Sequence, residues 1–134
     1  MLTGREWHKF DGASEAAINR LTSVAPLPLP ESYLALLRFS NGGEGPLPVQ
    51  PWNFCLDTAE FAATAEQDGA QKEFFPRLFV IGSNGGGEAI ALNAAANPHS
   101  VVMFDMGNCD LDESVVTLAP DFDTFLSMVG CSAN

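Results

Sequence analysis

No lysine or arginine follows Arg77, so the stretch from Leu78 to Asn134 holds seven acids against no lysine or arginine. Such a stretch cannot neutralise phosphates, and this excludes the electrostatic footprint of a nucleic-acid binder. Long hydrophobic runs are missing as well. No apolar stretch reaches membrane-spanning length, and the start, MLTGREWHKFDG, lacks the charged-then-apolar order of a signal peptide. A cytoplasmic location is therefore expected, with neither secretion nor membrane insertion. Cysteine is scarce: Cys55, Cys109 and Cys131 are odd in number, far apart and without a CxxC pair, which points to free thiols in a reducing compartment. His8 and His99 stand far apart in sequence with no HExxH pair, and the GxSxG elbow of a hydrolase is absent. Neither a metal site nor a cofactor is expected from these residues, and no catalytic one.

What remains is an acidic, apolar-rich chain. Its 134 residues suit one domain, large enough to bury roughly two thirds of the unfolded surface around a single core. With 46% hydrophobic residues and ten phenylalanines, the material for that core is ample. The formal charge of −11 repels nucleic acid and anionic lipid but attracts a basic protein and speeds the encounter.

Periodicity and punctuation give the elements. Ser14 to Val24 reads as a helix capped by Ser14, with Ala17, Ile18, Leu21 and Ala25 on one apolar stripe. The prolines of APLPLP break it, and Pro30 is suited to be the first residue of a second helix. That helix buries Tyr33, Leu36, Leu37 and Phe39 and stops at Asn41, Gly42 and Gly43, where a left-handed turn costs little. From Glu44 to Asn53, Pro46, Pro48 and Pro51 argue for an irregular loop, since proline cannot donate to a sheet ladder. Asp57 or Thr58 caps a third helix ending near Gly69, with Phe61, Ala62 and Ala65 inward. Phe79 to Ile81 and Ala89 to Leu92 form a hairpin turning through Ser83 to Gly87. Val101 to Phe104 and Val115 to Leu118 are further strands, and Asp121 to Val129 closes the chain as a helix burying Phe122, Phe125, Leu126 and Val129. The whole is an α+β domain, residues 1–134, with a mainly antiparallel mixed sheet of about four to six strands flanked by about four helices.

Two motifs invite a chemical reading and do not sustain it. The glycines at 85 to 87 lead into Glu88 and a strand, where a phosphate cradle needs a lysine, a hydroxyl and a helix, so they read as a turn. Asn108, Asp110 and Asp112 have the alternate spacing of a calcium loop, but Glu113 replaces the glycine and Ala119 the bidentate acid, which excludes a high-affinity EF-hand. Asp105, Asp110, Asp112 and Glu113 form instead either a solvated turn or an acidic loop open to an arginine-rich partner. Of Trp7, Trp52 and Phe54, Trp52 in the proline-rich loop is the best candidate contact, although the area of an indole favours burial.

The succession LPESYLALLRFSNGG, FPRLFVIGSNGGGEAIAL and APDFDTFLSMV resembles the SUKH superfamily, specifically its Smi/Knr group, over most of the chain. Pro30, Asn41, Gly42 and Gly43 match the proline-started helix and its stop. Ile81, Gly82, Gly86, Gly87 and Glu88 match the hairpin, and Phe122, Phe125 and Leu126 the closing helix. Asn93 departs from the pattern, standing where many relatives place an aspartate. The resemblance implies a binding domain. Bacterial members of the group look like immunity proteins that bind and silence a co-encoded toxin, often a nuclease, by steric and electrostatic blocking without a reaction of their own. The partner-binding residues expected here are Glu44, Trp52, Glu88, Asp105, Asp110, Asp112 and Glu113. A regulatory adaptor, as the eukaryotic relatives suggest, is the first alternative; a small enzyme of unrecognised type is the second.

Overall fold

In the computed structural model, which describes residues 1–68, 78–94, 99–106 and 115–132, the first helix begins where its capping residue stands. Ser14 Oγ accepts the Ala17 N–H at 3.1 Å, and helix α1, Glu15–Val24, buries Ile18 and Leu21. Pro30 lies one step outside the next helix, a correction to its expected place as the first helical residue. Its ψ of 137° is extended, and its carbonyl accepts the N–H groups of Tyr33 and Leu34 at the start of α2, Glu31–Phe39. Tyr33, Leu34, Leu36 and Leu37 are buried there, whereas Phe39 is only partly so, with the Lys9 ammonium 4.9 Å from its ring centroid. Ser40 ends the helix in extended conformation, and the positive φ needed for the exit falls on Gly42 at 92°.

The segment expected as a proline-rich loop is a hairpin. Strand β2, Gly43–Pro46, pairs antiparallel with β3, Asn53–Leu56, and the short β1, His8–Lys9, lies on its outer side. The Leu47 N–H bonds to the Trp52 carbonyl at 3.0 Å and the Pro46 carbonyl accepts from the Gly130 N–H at 2.9 Å, so Pro46, opposite Asn53, takes the position that makes no ladder bond to β3. The missing N–H of Pro46 therefore faces away from β3, beyond the end of two-residue β1, and no ladder bond is lost.

Helix α3, Ala59–Asp68, starts with Thr58 Oγ1 accepting the Phe61 N–H at 3.0 Å and Asn41 Oδ1 accepting the Ala59 N–H at 2.8 Å. Thr58 is thus the cap. Ala59, Ala62 and Ala63 face inward, a spacing of three and four residues, which turns Phe61 outward at 61% exposure. The expected burial of Phe61 is overturned by that register, and Ala65 is half-buried. The expected stop at Gly69 lies outside the described residues.

Strands β4, Leu78–Ser83, β5, Glu88–Asn93, β6, Ser100–Asp105, and β7, Val116–Ala119, complete, among the described residues, a seven-stranded sheet in sequential order, antiparallel throughout. The strand count exceeds the expected range because β2 falls mostly within the expected Glu44–Asn53 loop, while β1 and most of β3 lie where no element is expected. Helix α4, Phe122–Met128, is capped by Asp121, whose Oδ1 accepts the Thr124 N–H at 2.7 Å. Among the described residues there are four α-helices, none long and apolar enough to cross a membrane.

The main core lies between one sheet face and the helices. Tyr33 meets Phe122 edge-on at 5.6 Å between centroids, and Phe54 meets Phe125 at 5.0 Å. A smaller cluster of Leu78, Ala89, Ala91, Val102 and Phe104 is buried on the opposite face, so β4 to β6 carry apolar residues on both sides. This explains their near-continuous hydrophobic sequence.

Candidate partner-binding surface

At one end of the sheet, the β2–β3 and β4–β5 turns stand side by side. In the first, the Trp52 N–H bonds to the Val49 carbonyl at 2.8 Å, and Trp52 holds a left-handed φ of 71° with its side chain 55% exposed. A non-glycine residue in this region carries strain that the surrounding bonds must hold. In the second, Asn84 Oδ1 accepts the N–H groups of Gly86 at 2.8 Å and Glu88 at 3.2 Å, while Ser83 Oγ accepts that of Gly85 at 3.1 Å. Asn53 ties the turns together. Its Nδ2 donates to the Asn84 carbonyl at 3.1 Å and to Glu44 Oε2 at 2.9 Å.

Between the turns lies a shallow pocket of about 280 Å³ lined by Gln50, Pro51, Trp52, Asn84, Glu88 and Met103. Glu88 stands directly opposite Asp105 across β5 and β6. Of the sequence-expected contacts, the structure brings together Trp52, Glu88 and Asp105. Glu44 belongs to the neighbouring row, Glu44–Cys55–Ser83–Ala89, whose side chains project to the other sheet face. Asp110, Asp112 and Glu113 lie outside the described residues, as does Cys109. The exposure of Trp52 corrects the expectation, drawn from ring area, that this indole is buried. It is Phe54 that is fully buried, and Trp7 is half-buried with its Nε1 donating to Ser40 Oγ at 3.2 Å.

The bases of the described residues are engaged elsewhere. Arg5 Nη1 donates to the Leu126 and Val129 carbonyls at the end of α4, Arg20 binds Thr64 and Gln67, and Arg38 pairs with Glu15 at 2.9 Å. Lys9 sits over Phe39. Sequence reasoning missed Asn53, Asn84 and Gln50 as parts of this surface. The signal for two of them was available, since asparagine beside a turn commonly binds its neighbours' backbone.

Two larger clefts lie elsewhere. One, of about 550 Å³, runs between the starts of α2 and α4 and carries Glu31, His99, Asp121 and Asp123; Asp121 is held below the usual carboxylate range by the bonds from Thr124 that make it a cap. The other, of about 520 Å³, is lined by His8, Phe10, Asn41, Glu44, Cys55 and Thr58 among others. The two histidines thus line different clefts. Burial, followed by the charge of Glu44, pushes the Cys55 thiol up, away from the reactive thiolate. Cys55 and Cys131 are free thiols, and among the described residues no group of three or more His, Cys, Asp or Glu is placed to hold a metal. Beside the second cleft, burial pushes the Asp57 carboxyl up to about 6.

Among the described residues, a seven-stranded antiparallel meander carrying its helices on one face defines an α+β domain built around a single sheet. The SMI1/KNR4 family (SUKH-1) model matches residues 12–128, and the chain belongs to that family. No curated protein matches this sequence.

Proposed function

We propose that this chain is a non-enzymatic, cytoplasmic immunity protein that binds a basic toxin domain and blocks it. Trp52 is the anchor. Glu88 and Asp105 are the charges beside it, with Glu44, Asp110, Asp112 and Glu113 extending the acidic field. The observation that carries this reading is the exposed, strained Trp52 beside Glu88 on two bonded turns. Large aromatic side chains at the centre of an interface dominate binding energy, and surrounding acids steer a cationic partner. A nuclease suits this surface, because a phosphate-seeking cleft is itself basic. Membership of the SUKH-1 family supports a protein partner.

The test is co-expression with the toxic C-terminal domain encoded by the neighbouring gene. Growth is rescued and the two proteins co-purify. Trp52→Ala weakens the complex by about 10-fold or more, as for an interface anchor. Binding without rescue would place the chain among regulatory adaptors; no binding and no rescue would remove the immunity reading.

A further inference from the structure

Resting on that reading of the Trp52 end as the docking face, we propose that the pocket between the two turns receives an arginine side chain of the partner. The exposed Trp52 lines one side, the half-buried Glu88 another, and the buried Met103 adds apolar lining. A guanidinium is planar and weakly hydrated; it stacks on aromatic faces and pairs with carboxylates through two parallel N–H bonds. An ammonium is a strongly hydrated point charge and loses more on leaving water for such a lining. A purely apolar group would cover Glu88 without pairing it, and an anion would meet Glu88, with Asp105 on the neighbouring strand opposite it.

The pocket is already shaped for this guest. Asn84 has its side-chain oxygen committed to Gly86 and Glu88 and its carbonyl to Asn53, so that wall does not need to be ordered on binding. The backbone bonds of Leu47 and Trp52 hold the opposite wall. About 280 Å³ accommodates one long side chain and excludes a helix.

The experiment needs no toxin. N-acetyl-arginine amide is titrated into the protein while the Trp52 indole N–H is followed by two-dimensional NMR, with the Trp7 indole N–H as internal reference. The corresponding citrulline and lysine amides are titrated in parallel. Arginine moves the Trp52 signal saturably and leaves Trp7 in place; citrulline, which keeps the shape without the charge, binds about tenfold more weakly. Glu88→Gln lowers the arginine affinity about fivefold, and Trp52→Leu, followed at the Asn84 and Gly87 amides, lowers it by a similar factor. No saturable shift, an equal response to citrulline or lysine, or an unchanged affinity in Glu88→Gln would overturn the proposal. The outcomes separate cleanly. Arginine binding without growth rescue removes the toxin partner and keeps the pocket, while rescue without arginine binding removes the pocket and keeps the toxin partner.

Discussion

Glu88 and Asp105 occupy directly opposed positions on adjacent antiparallel strands, two carboxylates in a half of the chain that contains no lysine or arginine. Like charges directly opposite each other on paired strands repel. Glu88→Gln is expected to raise stability by about 0.5 kcal/mol, read as a higher urea midpoint with an unchanged slope. A lower midpoint would mean that the carboxylate of Glu88 supports the fold.

Tyr33 is fully buried, and its hydroxyl finds no hydrogen-bond partner among the described residues. Burial, followed by the nearby charge of Asp57, holds the phenol far above its usual range. Tyr33→Phe keeps the edge-on ring contacts with Phe79 and Phe122 while removing the unpaired group. The expected result is a gain of about 1 kcal/mol in thermal or chemical unfolding.

Asp57 gives the fold a pH dependence. Its folded-state value of about 6 lies above the ordinary 3.8, so the native protein binds the extra proton between these limits. Stability contributed by this group therefore falls as pH rises through that window, and the penalty is complete above it. Asp57→Asn is expected to be more stable than the parent by about 2 kcal/mol at neutral pH and equal to it in acid below the window. Urea midpoints measured across the pH range check both limbs.

Arg5 fastens the N-terminal segment to the end of α4, donating to the Leu126 carbonyl at 2.7 Å and the Val129 carbonyl at 3.1 Å. Arg5→Ala leaves those carbonyls without their charged donor and is expected to cost about 1–3 kcal/mol. Hydrogen exchange at the α4 amides should accelerate in the variant more than exchange in β5.

The parts of the fold legible in the sequence are those in which local propensity and tertiary packing agree. Ser14 and Asp121 cap their helices as their side chains allow, and the Ser83–Gly87 turn follows from glycine and asparagine. The β2–β3 hairpin was illegible because its prolines argue against strands. What permits Pro46 in β2 is an accident of register, namely that its nitrogen faces past the end of β1, and no local pattern encodes that. Phe61 misled for a related reason: the alanines, not the aromatic ring, bring α3 close to the sheet. At the candidate surface, Glu88 and Trp52 could be chosen by residue type, but their meeting in one pocket depends on Asn53 bridging two turns that are distant in sequence.

The most direct test of the acidic-surface account is the association rate of the chain with its cognate toxin domain, measured by stopped flow as salt is raised. The account predicts a rate approaching roughly 10⁸ to 10⁹ per molar per second at low salt, falling toward about 10⁵ to 10⁶ as the charges are screened. Replacing Asp110, Asp112 and Glu113 together by lysine should slow the low-salt rate severalfold and flatten that dependence. A rate indifferent to salt, with the lysine variant associating as fast as the parent, would contradict it.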